Sequence, residues 1–185
     1  NTLADYIGGG IIAQFVEMMN QTAEALEMQN THFENPHGLH DDNHYSTASD
    51  LYKRARYVYE RPVLMDICSL SRVQIPATDQ SDERLMVTTN LMQSAGSPCY
   101  YEYVRGMKTG YTSQAGRCLI STASRDGYNY ICVLLGAEDQ DNEADRIEFK
   151  DTENLYRWAF NTFEHRKVTN VNEPVAEVPL ELNWD

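Results

Sequence analysis

Residues 104–135 read VRGMKTGYTSQAGRCLISTASRDGYNYICVLL, and their pattern decides the fold. Apolar and small residues alternate from Leu119 to Ser124, Asp126-Gly127 is a two-residue turn signal, and Tyr128 to Leu135 returns as a second strand. A two-residue turn also sets the register: Tyr128 faces Arg125, and Ser121 faces Cys132. Just before this hairpin, Lys108-Thr109-Gly110 lies on a strand that begins near Val104. The triplet has a chemical logic. Lysine brings a cation, and threonine a hydroxyl, to a substrate carboxylate. Glycine has no Cβ, so an extended substrate can lie close against the strand. Alone the triplet is weak, because a chain of this length contains it by chance in roughly 4% of cases. The competing reading is a surface strand with an exposed lysine. Only three other lysines occur (Lys53, Lys150 and Lys167), which sets Lys108 apart from filler.

At 185 residues, 42% apolar and 23% charged, the chain is expected to form one globular domain with the edge of another. It has no run of 18 apolar residues and no signal-peptide pattern. A formal charge of −13 argues against nucleic acid or an anionic membrane surface as partner. Cys68, Cys99, Cys118 and Cys132 have no CxxC spacing, so zinc and thioredoxin chemistry are not indicated. The register above puts Cys118 and Cys132 on opposite faces of the hairpin, where they cannot bond to each other. Such cysteines read as small apolar filler.

From the start, Asn1 to Ile7 reads as the end of a helix broken by Gly8-Gly9-Gly10. Ile12, Phe15, Val16, Met19, Ala23 and Leu26 then fall at helical spacing, and Asn30 is the expected left-handed stop. The polar stretch 31–48 holds His32, His37, His40 and His44 with Asp41 and Asp42. The histidines lack the i, i+4 pairing of a helical metal site, so a self-bonded loop is the better reading. Thr47 with Asp50 marks a capped helix start whose buried side is Ala48, Leu51, Ala55, Val58 and Tyr59; it stops before Pro62, which opens a short helix toward Cys68. Arg72 to Ala77 and Arg84 to Thr88 are strand candidates around a polar turn. A last helix, about Ile147 to Glu164, is expected to bury Phe149, Leu155, Trp158, Ala159 and Phe163. Helices on a largely antiparallel sheet give an α/β class with an α+β layout. From Val168 the pattern changes, and Val175 to Leu182 alternates like a strand. Residues 168–185 are therefore expected to be a linker and the first strand of a following β-rich domain.

The motifs, taken together, resemble the serine-type D-alanyl-D-alanine carboxypeptidases, the low-molecular-weight penicillin-binding proteins. The matching landmarks are Asn35-Pro-His-Gly-Leu39, His44-Tyr-Ser-Thr-Ala48, Gly106-Met-Lys-Thr-Gly-Tyr-Thr112, Ala115-Gly116, Asp145-Arg-Ile-Glu-Phe149 and Trp158-Ala-Phe160, in family order. The resemblance implies a β-lactamase/transpeptidase-like fold, with 1–167 as the C-terminal portion of the catalytic domain. It implies that Lys108 and Thr109 hold the terminal carboxylate of a peptidoglycan stem peptide and that Gly110 permits antiparallel docking. The backbone N–H of Tyr111 would be one oxyanion-hole donor. Arg146 would contact substrate or brace the site strand, and His37 would brace a loop or simply satisfy its own turn. No cofactor or metal is implied; the partners are stem peptides and β-lactams, and the place is the bacterial envelope outside the cytoplasm.

One departure is decisive for activity. The family nucleophile lies in Ser-x-x-Lys, yet Asp50, Arg105, Ile147 and Glu164 precede the four lysines by three residues. No serine has asparagine two residues on, so the family's Ser-x-Asn is absent too. The expectation is that the nucleophile, its lysine and two strands lie upstream of Asn1, as a missing N-terminal part of the same domain. An open sheet edge would then favour a strand-paired dimer, or a need for that part as a partner. A β-lactamase-like hydrolase and a non-catalytic peptidoglycan-binding module are the alternative readings. This 185-residue polypeptide by itself is expected neither to release D-alanine from diacetyl-Lys-D-Ala-D-Ala nor to label with fluorescent penicillin. A stoichiometric covalent label would refute that expectation.

Overall fold

A computed structural model describes residues 1–140 and 142–164, so the expected linker and strand at 168–185 lie outside the described residues. Helix α1 (Thr2–Ile7) ends at the glycine run, and α2 (Ile12–Ala25) follows it. The left-handed residue that stops α2 is Glu27, with φ 57°, and not Asn30. Met28 N–H donates to Ala23 O at 2.9 Å and Glu27 N–H to Glu24 O at 2.8 Å, the double bond pattern of a Schellman stop. Met28 and Ala23 are both buried beside Phe33, and that apolar contact outweighs the strain of a left-handed glutamate. Asn30 instead ties the loop to the next helix, its N–H donating to Asp50 Oδ2 at 2.8 Å.

Helix α3 (Ala48–Tyr59) starts as its cap predicts, with Asp50 N–H donating to Thr47 Oγ1 at 3.2 Å. The Asp50 side chain turns away from the cap to accept from Asn30 and from the Thr31 hydroxyl. Burial pushes its pKa up, but those hydrogen bonds and the Lys53 cation outweigh burial and hold it below the ordinary carboxylate value. Pro62 opens α4 (Pro62–Cys68). Strands β1 (Arg72–Ile75) and β2 (Arg84–Val87) form an antiparallel pair of their own.

The principal sheet is antiparallel, in the order β3 (Val104–Thr112), β4 (Gly116–Arg125), β5 (Tyr128–Ala137). Arg125 pairs with Tyr128 and Ser121 with Cys132, the register that a two-residue turn demands. Asp126 and Gly127 have φ of 53° and 83°, so both turn residues are left-handed, as a type I′ turn requires. Among the described residues no disulfide joins Cys68, Cys99, Cys118 or Cys132.

Helix α5 (Ile147–Thr162) packs on the face of the sheet that carries Leu119, Ser121 and Ala123. It buries Phe149, Thr152, Tyr156, Ala159 and Phe160, whereas Leu155, Trp158 and Phe163 are about half exposed. The buried stripe is thus rotated from the one that hydrophobicity alone selects. Two hydroxyls explain the rotation. Tyr156 Oη lies 2.7 Å from Ser121 Oγ, and Thr152 Oγ1 accepts from Cys132 Sγ at 3.9 Å, so polar groups on both elements are satisfied inside. Burial pushes the Tyr156 phenol far above its ordinary pKa and keeps it neutral. Replacing Tyr156 by Phe leaves the fully buried Ser121 hydroxyl without that partner. The expected cost is about 1–3 kcal/mol, read as a melting temperature lower by about 3–10 °C. An unchanged melt would show that the hydroxyl pair does not fix the helix.

Candidate active site

Among the described residues strand β3 is an outer strand of its sheet, so the backbone of Lys108-Thr109-Gly110 pairs there on one side only, with Lys108 opposite Ile120 and Gly110 opposite Cys118. The strand is anchored twice just before the triplet. Asn90, buried in the loop after β2, donates through Nδ2 to Gly106 O at 3.1 Å, and the Thr122 hydroxyl donates to Arg105 O at 2.7 Å. The Asn90 anchor also sets its neighbour. Thr89 Oγ1 lies 2.6 Å from Thr109 Oγ1, so the second residue of the triplet meets a hydroxyl partner from outside the sheet. Lys108 is exposed, and its ammonium donates to the Thr109 carbonyl; among the described residues it forms no ion pair. A Cβ added to Gly110 would meet only Cys118 Cβ, at an ordinary 3.8 Å. The protein itself therefore tolerates alanine at 110, and any demand for glycine comes from what docks on the strand.

Along β3, Thr109 and Tyr111 point to the same side. There the Arg117 guanidinium stands 4.3 Å from the centre of the Tyr111 ring, and Arg117 Nε donates to Asp139 Oδ1 at 2.6 Å. The Asp139 carboxylate, bonded to the Tyr111 phenol, pushes the phenol pKa up. Asp139 is held below the ordinary carboxylate value, first by the Arg117 hydrogen bond and then by the Tyr111 hydroxyl. Arg146 lies at the N-cap of α5; its Nε donates to Glu148 Oε1 at 2.7 Å, and its guanidinium stands over the Phe149 ring at 4.7 Å.

These groups line one cleft: Thr89, Lys108, Thr109, Gly110, Tyr111, Arg117 and Arg146. The structure thus brings together all five residues singled out from the sequence. Sequence reasoning missed two others. Arg117 was legible in principle, since a tight turn at 113–115 places it opposite Tyr111; Thr89 carries no local signal. His37 stays outside the cleft, its Nδ1 accepting from Leu39 N–H at 3.2 Å within the same turn. Two more histidines of the loop likewise find local partners: His32 bonds Glu34, and His44 Nδ1 accepts from Glu34 N–H. Chemically the cleft is an anion site beside an open strand, three cations and a hydroxyl pair in a chain of formal charge −13. Among the described residues no serine lines it, and the groups that do can hold and polarise an anion.

A family model described as D-alanyl-D-alanine carboxypeptidase matches residues 1–139. The chain is 35% identical over 162 residues to the D-alanyl-D-alanine carboxypeptidase DacD of Escherichia coli, covering 87% of this chain and 38% of that protein. It is 27% identical to DacF of Bacillus subtilis over 178 residues, covering 96% of this chain and 43% of the relative. The chain therefore spans about two fifths of the length of these curated relatives. Among solved structures, penicillin-binding protein D2 of Listeria monocytogenes in its cefotaxime-bound form superposes with a TM-score of 0.65. The two are 31% identical, over 80% of this chain and 56% of that one. A D-alanyl-D-alanine carboxypeptidase of Mycobacterium tuberculosis superposes with a TM-score of 0.71 at 26% identity, over 96% of this chain and 61% of the other. The fold is accordingly the transpeptidase-like fold of the penicillin-binding proteins. With the match running through both the helical segment and the Lys-Thr-Gly hairpin, the chain belongs to the D-alanyl-D-alanine carboxypeptidase family.

Proposed function

We propose that this chain is the substrate-holding side of a serine-type carboxypeptidase that removes the terminal D-alanine of peptidoglycan stem peptides in the cell envelope. One observation carries the reading: the Lys108-Thr109-Gly110 strand lies open along a cation-lined cleft, with Thr109 already held by Thr89. Family membership supplies the reaction class. In this reading the nucleophilic serine and its lysine come from sequence outside these 185 residues.

The steps follow from the placement of each group. The terminal carboxylate of the peptide sits against Lys108 and the Thr109 hydroxyl, and the peptide lies antiparallel along β3 at Gly110. The serine oxygen bonds to the carbonyl carbon of the penultimate D-alanine, whose oxygen gains negative charge. The Tyr111 N–H donates to that oxygen, a stabilisation that grows as the charge develops. The C–N bond breaks, and D-alanine leaves with a proton on its nitrogen. Water then cleaves the ester and returns the serine. A β-lactam follows the same course through acylation. Its ring amide opens, but the amine stays tethered, so the ester persists.

Two substitutions in the catalytically complete enzyme test this reading. Lys108→Ala removes a charge-assisted contact, and acylation by fluorescent penicillin is expected to fall by about 10²–10³. Lys108→Arg keeps the charge without the geometry and should retain part of the rate. Equal labelling of wild type and Lys108→Ala would refute the role. Gly110→Ala is expected to melt like wild type, since its Cβ meets no close neighbour, while D-alanine release drops by about tenfold or more. Full activity in that variant would mean that no peptide lies against the strand there.

A further inference from the structure

We propose that Arg117 is a specificity-determining residue that selects substrates ending in a free carboxylate, acting beside Thr109. The inference rests on the carboxypeptidase reading above. It starts from how each cation of the cleft is already engaged. Arg146 commits two of its N–H groups to Glu148, a residue only 1% exposed, and stacks on Phe149. Lys108 donates to a backbone carbonyl. Arg117 is engaged differently. Its contact with Asp139 runs through Nε, and among the described residues its two terminal amino groups donate no hydrogen bond.

The same residues that leave those amino groups free also hold them still. The Tyr111 ring lies under the guanidinium, and Asp139 grips it from the Nε side. Arg117 is about a quarter exposed, half-withdrawn from water at the wall of the cleft. It pairs across the sheet with Tyr111, two residues beyond Thr109 on the strand that carries the triplet. A planar fork with two unused amino groups, lining the same cleft as a threonine hydroxyl, matches the two oxygens of a carboxylate. An amide or ester at the same place supplies no charge. It would leave a partly desolvated cation unpaired, the arrangement by which a site rejects an analogue.

The test compares kcat/KM for diacetyl-Lys-D-Ala-D-Ala with that for its C-terminal amide, in the complete enzyme. Arg117→Gln is expected to reduce the acid-over-amide preference by about 10- to 100-fold. Arg117→Lys, which keeps charge but not the fork, should fall between. Asp139→Asn should loosen the guanidinium and lower the preference less than Arg117→Gln does. A loss of packing alone would slow both substrates together and leave the ratio where it was. If Arg117→Gln folds and keeps the wild-type ratio, the inference is overturned, and Lys108 and Arg146 hold the carboxylate without it. Should Arg117→Gln not fold, a full wild-type ratio in the Arg117→Lys enzyme overturns it equally. If the wild-type enzyme releases no D-alanine from the free-acid peptide, the carboxypeptidase reading fails first, and the two failures are thereby distinct.

Discussion

The hydroxyl pair of Ser121 and Tyr156 ties the sheet to the helix beneath it, and the site depends on that tie. Ser121 lies on β4, the strand that pairs with both β3 and β5. Fixing β4 on α5 fixes the height of β3, and Thr122, the next residue along, bonds the backbone of β3 just before the triplet. A buried polar contact is thus relayed across one strand to the place where a peptide would dock. Apolar packing of Leu119, Ala123, Phe149 and Phe160 supplies most of the cohesion, but it specifies orientation poorly. The hydroxyls choose which side of α5 faces in.

Charge is placed with the same regard for position. The chain carries a formal −13, yet among the described residues no carboxylate lines the cleft, and Asp139 and Glu148 pair with its cations Arg117 and Arg146. Asp139 grips Arg117 from the side, and Glu148 holds Arg146 from within the core. Each pairing orients a guanidinium and leaves the cleft itself lined by cations. A formal charge of −13 repels polyanions at long range, whereas the cations lining the cleft suit a single small anion.

Much of this was legible in the sequence because it rests on short-range rules. The Asp126-Gly127 turn fixed the hairpin register, Thr47 fixed the start of α3, and Pro62 fixed that of α4. The misreadings share a cause. Asn30 has the better left-handed propensity, yet Glu27 takes that conformation because Met28 and Ala23 bury together there. Leu155, Trp158 and Phe163 are more hydrophobic than Thr152 and Tyr156, yet the latter face inward because the sheet offers them hydroxyl and thiol partners. Both outcomes depend on tertiary packing, which periodicity cannot see. In the cleft, the triplet announced itself, whereas Thr89 enters only because Asn90 is anchored on Gly106 O.

The outward side of α5 has a colloidal consequence. Trp158 and Phe163 pack edge to face on each other, 5.2 Å apart, in the open. Beside them lies β5, whose outer backbone pairs with no other strand among the described residues. An unpaired strand edge beside exposed aromatic surface is the kind of feature at which copies of a polypeptide can meet. At neutral pH, mutual repulsion between chains of charge −13 opposes that meeting. The repulsion fades as pH falls toward the isoelectric point near 4.7, and salt screens it beyond about 8–10 Å. Acidity and ionic strength therefore act on this polypeptide the same way, each weakening the charge repulsion that keeps the exposed aromatic surfaces of separate copies apart.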